Sequence, residues 1–221
     1  MAGYYEHERS EILPLLPESA SSILDVGAGV GTTLRWIKTV YPDARTTGVE
    51  LNAELRIKLA SNADVALIGG IEDLLSELQS YDLILLLDVL EHLVDPLAIL
   101  RKLSTLLRPG GHMVVSLPNV AHLSISLPLL LGRRFSYCDA GILDRTHLKL
   151  FVEETAVNLL NDANLVVTKG LVSGMHGPRS RLAFRLSLGL LLHYLTTQYI
   201  MLAELKNDRT IQKRIHWEAI K

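Results

Sequence analysis

The chain has 221 residues, 48% of them hydrophobic, 21% charged and 5% aromatic, with a formal net charge of −2 and a single cysteine, Cys138. This is enough apolar material for one domain, residues 1–221, with a full core, and the lone cysteine excludes an internal disulfide and suits a reducing compartment. The charge balance supplies no footprint for DNA, argues against RNA, and leaves any polyanionic partner to a local patch.

Residues through Arg9 are polar, and no apolar core of signal-peptide type follows before the first predicted strand, so a cytoplasmic location is expected. Ser22–Val26 reads as a buried strand, followed by Gly27, Gly29 and Gly31 at alternate positions and then a helical pattern from Thr33 to Lys38. Glycines are needed where a chain leaves a buried strand in a sharp turn, and they let a ligand lie on the backbone at the next helix N-terminus. The dinucleotide code places its third glycine where this chain has Thr32. Asp25 would repel a pyrophosphate seated there, whereas a cofactor carrying an amine and a sulfonium would favour it.

Ala44–Glu50 reads as a second strand ending in an acid. Glu50 follows Gly27 by 23 positions, close to the roughly 20-residue offset at which an acid holds ribose hydroxyls. Val65–Ile68 is a third strand leading into Gly69-Gly70-Ile71-Glu72-Asp73, and Tyr81–Leu87 is a fourth, with a continuous apolar run from Leu83 to Leu87 as a strand covered on both faces requires. Asp88, Glu91 and His92 follow it. In a helix their i, i+3, i+4 spacing would put all three on one face, either with His92 as a base or around a divalent cation. Pro96 opens a helix to Leu107, Arg108-Pro109-Gly110-Gly111 turns the chain, and His112–Leu117 is a fifth strand. Alternating strands and helices imply a doubly wound parallel sheet, with ligands at the carboxyl ends of its strands.

Together these residues resemble the class I S-adenosylmethionine-dependent methyltransferases, in the branch whose fourth strand is followed by D-x-x-E-H, here Asp88 to His92. The resemblance implies a Rossmann-like α/β fold of seven strands, mostly parallel with an antiparallel last strand. It implies S-adenosylmethionine as cofactor, held by Asp25, Gly27, Gly29, Gly31, Glu50, Ile71, Glu72 and Asp88. Gly70 stands where the family often has an acid for the adenine amino group, and Glu72 is the substitute within reach. By the same resemblance His147, in Gly141–Phe151, joins Asp88, Glu91 and His92 in a magnesium site, and Glu91, His92 and His147 are the candidates for catalysis. Residues 1–20 would form a cap over the cofactor, with Tyr4 or Tyr5 touching it, and residues 120–150 would select the acceptor.

Within that insertion Leu127–Phe135 is apolar and then basic at Arg133-Arg134, a pattern that could cover a pocket, dock a partner or rest on a lipid surface or lipid carrier. Glu153–Asn161 reads as a helix, Leu165–Lys169 as a strand, Leu182–Leu195 as an amphipathic or buried helix, Gln198–Ala203 as the last strand, and residues 204–221 as a charged exposed tail. The strings at 117–122, 132–135 and 143–148 resemble methyltransferases of bacterial surface-glycan pathways, which implies O-methylation of a sugar, glycan or small hydroxylated metabolite. A quinone-type phenol is the alternative acceptor. A cofactor-binding scaffold without catalysis, and last an NAD-dependent oxidoreductase, complete the alternatives; the latter is disfavoured by Thr32 and by the lack of any Tyr followed four residues later by Lys.

Overall fold

The computed structural model describes residues 7–174, 191–207, 212 and 215–220. Its strands are β1 (Ser22–Val26), β2 (Arg45–Glu50), β3 (Val65–Ile68), β4 (Tyr81–Leu87), β5 (Leu107–Pro118), β6 (Leu165–Ser173), β7 (Gln198–Leu205) and β8 (Trp217–Ala219). The helices are α1 (Thr32–Val40), α2 (Arg56–Ala60), α3 (Ile71–Leu74), α4 (Pro96–Ser104), α5 (Leu123–Gly132) and α6 (Glu153–Asp162), with a further turn at Leu192–Leu195. One sheet joins all eight strands in the order β3-β2-β1-β4-β5-β7-β6-β8. The first five pair in parallel, β7 runs antiparallel to both β5 and β6, and β8 is parallel to β6.

Strand β4 shows why its sequence is apolar without alternation. Ile84 and Leu86 pack on one face with Leu100 and Leu103 of α4, while Leu83, Leu85 and Leu87 pack on the other with Leu34 and Ile37 of α1. Burial on both faces leaves no position for a polar side chain from Leu83 to Leu87, and the one acid of the strand, Asp82, sits at its start, bonded to Ser21, Ser22 and Arg108. The second face is also covered from the N-terminal side by a 3-10 turn at Ser10–Leu15, whose Ile12 and Leu15 are fully buried. Of the cap helix expected over 1–20, the described residues hold this short turn, and residues 1–6, with Tyr4 and Tyr5, lie outside the described residues.

Three expectations change. Among the described residues the sheet has eight strands, not seven, because the tail adds β8: the Trp217 indole lies over Gly170, where a Cβ would come within 2.4 Å of Cε3, and its Nε1 donates to Glu153 Oε1 at 2.7 Å. The antiparallel strand is therefore not the last. Helix α4 stops at Ser104, and β5 already begins at Leu107, so the Pro-Gly-Gly segment is an irregularity inside a strand. Gly111 is required there, since a Cβ would lie 2.9 Å from the Arg108 carbonyl oxygen. Most of the helix expected at Leu182–Leu195 falls outside the described residues; within them, Leu192–Leu195 is helical.

The loop after β5 is closed at its neck. Asn119 and Phe151 form an isolated parallel bridge, with Val120 N donating to the Phe151 carbonyl at 2.9 Å. Fully buried Asn119 also donates from Nδ2 to the His193 and Thr196 carbonyls at 2.6 and 2.8 Å.

Candidate functional site

Between β1 and α1 the chain turns through three glycines with φ of 75° (Gly27), 56° (Gly29) and 81° (Gly31), all in the left-handed region. Space is also restricted: a Cβ on Gly27 would sit 2.7 Å from Val89 Cγ2, and one on Gly31 2.9 Å from Asn62 Cβ. Gly27 N and Ala28 N both donate to the Val49 carbonyl, at 2.8 and 3.0 Å, which ties the loop to β2. Glu50, only 6% exposed at the end of β2, accepts from Gly29 N through Oε2 and from Asn52 N through Oε1, both at 2.8 Å. The strand-end acid thus fixes the shape of the glycine loop itself.

Asp25, in β1 just before that loop, is 3% exposed, and burial raises its carboxyl to about 7, against the opposing attraction of Arg9. Arg9 is the centre of a polar network. It reaches Asp88 Oδ2 at 2.6 Å, Glu11 Oε1 at 2.5 Å and Gln198 Oε1 at 3.2 Å. Asp88 has φ of 59° and accepts through Oδ1 from Ser116 Oγ at 2.9 Å and from Gln198 Nε2. Ser116 Oγ in turn accepts from Asp88 N at 2.9 Å. Sequence reasoning missed Arg9, Ser116 and Gln198, which lie far apart in the chain. Ser116 carried a signal, being the one polar residue in the run Met113–Leu117.

Past Asp88 the chain forms a 3-10 turn, Leu90–His92. Glu91 is 1% exposed, and its Oε2 has no hydrogen-bond partner among the described residues. Burial first, and the nearby Asp88 second, hold its carboxyl well above the usual range. The Glu91 carbonyl accepts from Leu148 N at 2.8 Å and Lys149 N at 3.0 Å, which brings the loop carrying His147 onto this turn. His92 Nδ1 lies 3.2 Å from the Thr146 carbonyl and His147 Nδ1 lies 3.0 Å from the Ile142 carbonyl. A carbonyl only accepts, so each neutral ring carries its proton on Nδ1 and a lone pair on Nε2. The two rings meet edge to face, centroids 4.8 Å apart. Desolvation, and then repulsion from His147, lower the pKa of His92 and favour its neutral form.

The predicted residues therefore divide. Asp25, Gly27, Gly29, Gly31 and Glu50 gather at the carboxyl ends of β1 and β2, and Glu91, His92 and His147 bring one ligand atom each within 4.8 Å of one another. Asp88 stands outside that cluster: its left-handed backbone removes it from the shared helical face, and Arg9, Ser116 and Gln198 occupy its carboxylate. Ile71 is buried and Glu72 exposed in the single turn of α3, with Glu72 Oε2 3.4 Å from where a Gly70 Cβ would be.

Comparison with known proteins agrees with this geometry. Residues 1–169 match the family described as "Methyltransferase domain". The ubiquinone biosynthesis O-methyltransferase of Xylella fastidiosa (strain 9a5c) is 38% identical over 112 residues, covering 47% of this chain and 44% of that protein. Methyltransferase str2 of Strobilurus tenacellus is 29% identical over 106 residues, covering 48% of this chain and 38% of that one. The chain thus spans less than half the length of the curated relatives it matches. Among solved structures, a SAM-dependent methyltransferase from Archaeoglobus fulgidus superposes with a TM-score of 0.59 at 17% identity, covering 86% of this chain and 88% of that one.

Proposed function

The chain belongs to the methyltransferase-domain family, and from that premise we propose that it transfers a methyl group from S-adenosylmethionine to a hydroxyl oxygen of a small or glycan acceptor. The observation that carries the reading is the pair of imidazoles with free Nε2 lone pairs beside buried Glu91, with Glu91 and His92 on the turn that directly follows Val89, the residue that abuts Gly27 of the glycine loop.

The loop fits the cofactor. Its three glycines take left-handed backbone, with Gly27 exposed at the mouth of the turn, Glu50 braces the loop, and Asp25 just before it supplies a carboxyl that an ammonium would draw into its charged form. When bound, S-adenosylmethionine supplies the methyl on a sulfonium that is already a good leaving group. What remains for the protein is to orient the acceptor and remove its proton. His92 or His147 takes that proton on Nε2, while the Thr146 and Ile142 carbonyls hold the other ring nitrogen in its protonated form.

A second reading of the same cluster follows from the orphaned, buried Glu91 Oε2. Glu91, His92 and His147 would hold a divalent cation, which would lower the pKa of the acceptor hydroxyl. Two imidazoles and one carboxylate suit zinc, manganese or iron better than the magnesium expected from sequence. Asp88, with its carboxylate occupied, is not part of this ligand set.

The acceptor class is open to two candidates. The sequence resemblance points to a sugar or surface glycan, while the ubiquinone-pathway relatives favour a phenol as the second choice. The deciding experiment offers labelled S-adenosylmethionine with panels of hydroxylated glycans and catechol-type phenols. Label in an ether-linked methyl supports the proposal and names the class. Cofactor binding with no incorporation into either panel would leave a scaffold, and tight NAD binding without S-adenosylmethionine binding would leave an oxidoreductase.

A further inference from the structure

Helix α5 breaks the usual rule for helices on a protein surface. Its sequence, LSISLPLLLG, is apolar all round, yet none of its residues is buried, and Leu130 and Leu131 are 78% and 76% exposed. Leu127, Leu129, Phe135 and Tyr137 extend the patch, all more than 40% exposed. A helix apolar on every face normally lies inside a core, and an exposed patch of this kind marks a surface that something covers.

The charges beside it identify the cover. From Asn119 to Tyr137 the chain has no Asp or Glu, and Arg133 and Arg134 follow directly on the leucines. Neither arginine has an ion-pair partner among the described residues, although the chain as a whole is net negative. Ten residues rise about 15 Å, half the thickness of a bilayer core, so the helix is too short to cross, and no described helix is long and apolar enough to do so. Leucines, two aromatics and two unpaired cations in one short stretch match an interfacial segment, with cations at phosphate level and apolar side chains below. A second copy fits less well, because the same stretch of a partner offers no acid to meet the arginines, however the two helices align.

We propose that α5 and Arg133-Arg134 dock this protein on an anionic lipid surface. The loop that begins with α5 is bonded at its far end to the Glu91 carbonyl through Leu148 N and Lys149 N, so docking would hold the candidate site beside the headgroups. The inference stands apart from methyl transfer, because its test reads binding without turnover. Flotation of the full chain with phosphatidylcholine vesicles, with and without phosphatidylglycerol, should show salt-sensitive binding to the anionic vesicles. Arg133→Gln and Arg134→Gln should each weaken it about fivefold, and Leu130→Glu at least tenfold, with unchanged circular dichroism and cofactor affinity. Absence of flotation, or flotation indifferent to the arginines and to phosphatidylglycerol, would overturn the proposal. So would a concentration-dependent dimer in place of lipid binding, abolished by Leu130→Glu, which would assign the face to a second copy.

Discussion

The Arg9 guanidinium lies 2.6 Å from the Asp88 carboxylate, and the two residues are 79 positions apart. Arg9 is 7% exposed, so removing it would leave Asp88 and Glu11 without their cation in a largely desolvated place. Arg9→Ala should cost about 2–3 kcal/mol in urea unfolding, below the usual 3–5 for a buried pair because Asp88 is partly exposed. Ser116→Ala, which removes one hydrogen bond to Asp88, should cost about 1 kcal/mol. An Arg9→Ala midpoint equal to wild type would show that the network adds no stability.

Asp25 makes stability depend on pH in the direction opposite to a salt-bridged acid. Burial raises its carboxyl from 3.8 to about 7. The folded chain therefore keeps a proton that the unfolded chain releases near pH 4, and stability is lost as pH rises from about 4 to about 7. Asp25→Asn should match wild type near pH 4 and exceed it by up to about 4 kcal/mol above pH 7. If Asp25 receives the cofactor's ammonium, wild-type affinity for S-adenosylmethionine should rise from about pH 6 to 8, while that of Asp25→Asn stays flat. Calorimetry showing a flat wild-type profile would remove Asp25 from cofactor binding.

How far such groups could be read from sequence depended on how local they are. The glycine loop, β1 and β4 were legible because short-range sterics and double-sided burial write themselves into consecutive residues. The Asp88–His92 motif was visible, but its shape was not: helical spacing put three residues on one face, whereas φ of 59° at Asp88 turned it toward Arg9. Arg9, Ser116 and Gln198 meet only through the sheet, with Gln198 opposite Pro118 in the β5–β7 register. Strand β8 was hidden for a similar reason. Its anchor is Trp217 over Gly170, a contact between two residues that look unremarkable in a charged tail and a strand interior.

Gly27 carries two separable constraints, a left-handed backbone and a Cβ clash with Val89. Gly27→Ala should cost about 1–2 kcal/mol for the backbone alone, more with the clash, and should lower cofactor affinity at least tenfold. Adding Val89→Ala should relieve the clash and recover part of the stability, but not all. Full recovery in the double variant, read by thermal melting, would mean that the backbone conformation carries no strain.

Glu91 and His147 should affect turnover more than cofactor binding. His147→Gln and Glu91→Gln are each expected to lower kcat by about 10²- to 10⁴-fold with S-adenosylmethionine affinity held within a factor of about two. Treatment with a chelator separates the two chemistries available to the cluster. Loss of turnover restored by zinc or manganese supports the cation, and full turnover in chelator leaves His92 and His147 as the proton acceptors.

The bridge between Asn119 and Phe151 gives the segment between them a property of its own. Because its ends are already joined, the framework holds the neck and the stretch from Leu143 to Lys149, and little of what lies between Ser124 and Gly141. Lengthening such a loop costs little, about 0.6 kcal/mol for each doubling. Residues 124–141, none of them buried, can therefore drift in length and composition, whereas Leu143, His147 and the amides that bond the Glu91 carbonyl stay tied to the framework, and a chimera that exchanges 124–141 should inherit the framework's melting temperature. Novelty in this protein is cheapest to acquire in the exposed span above that closed neck.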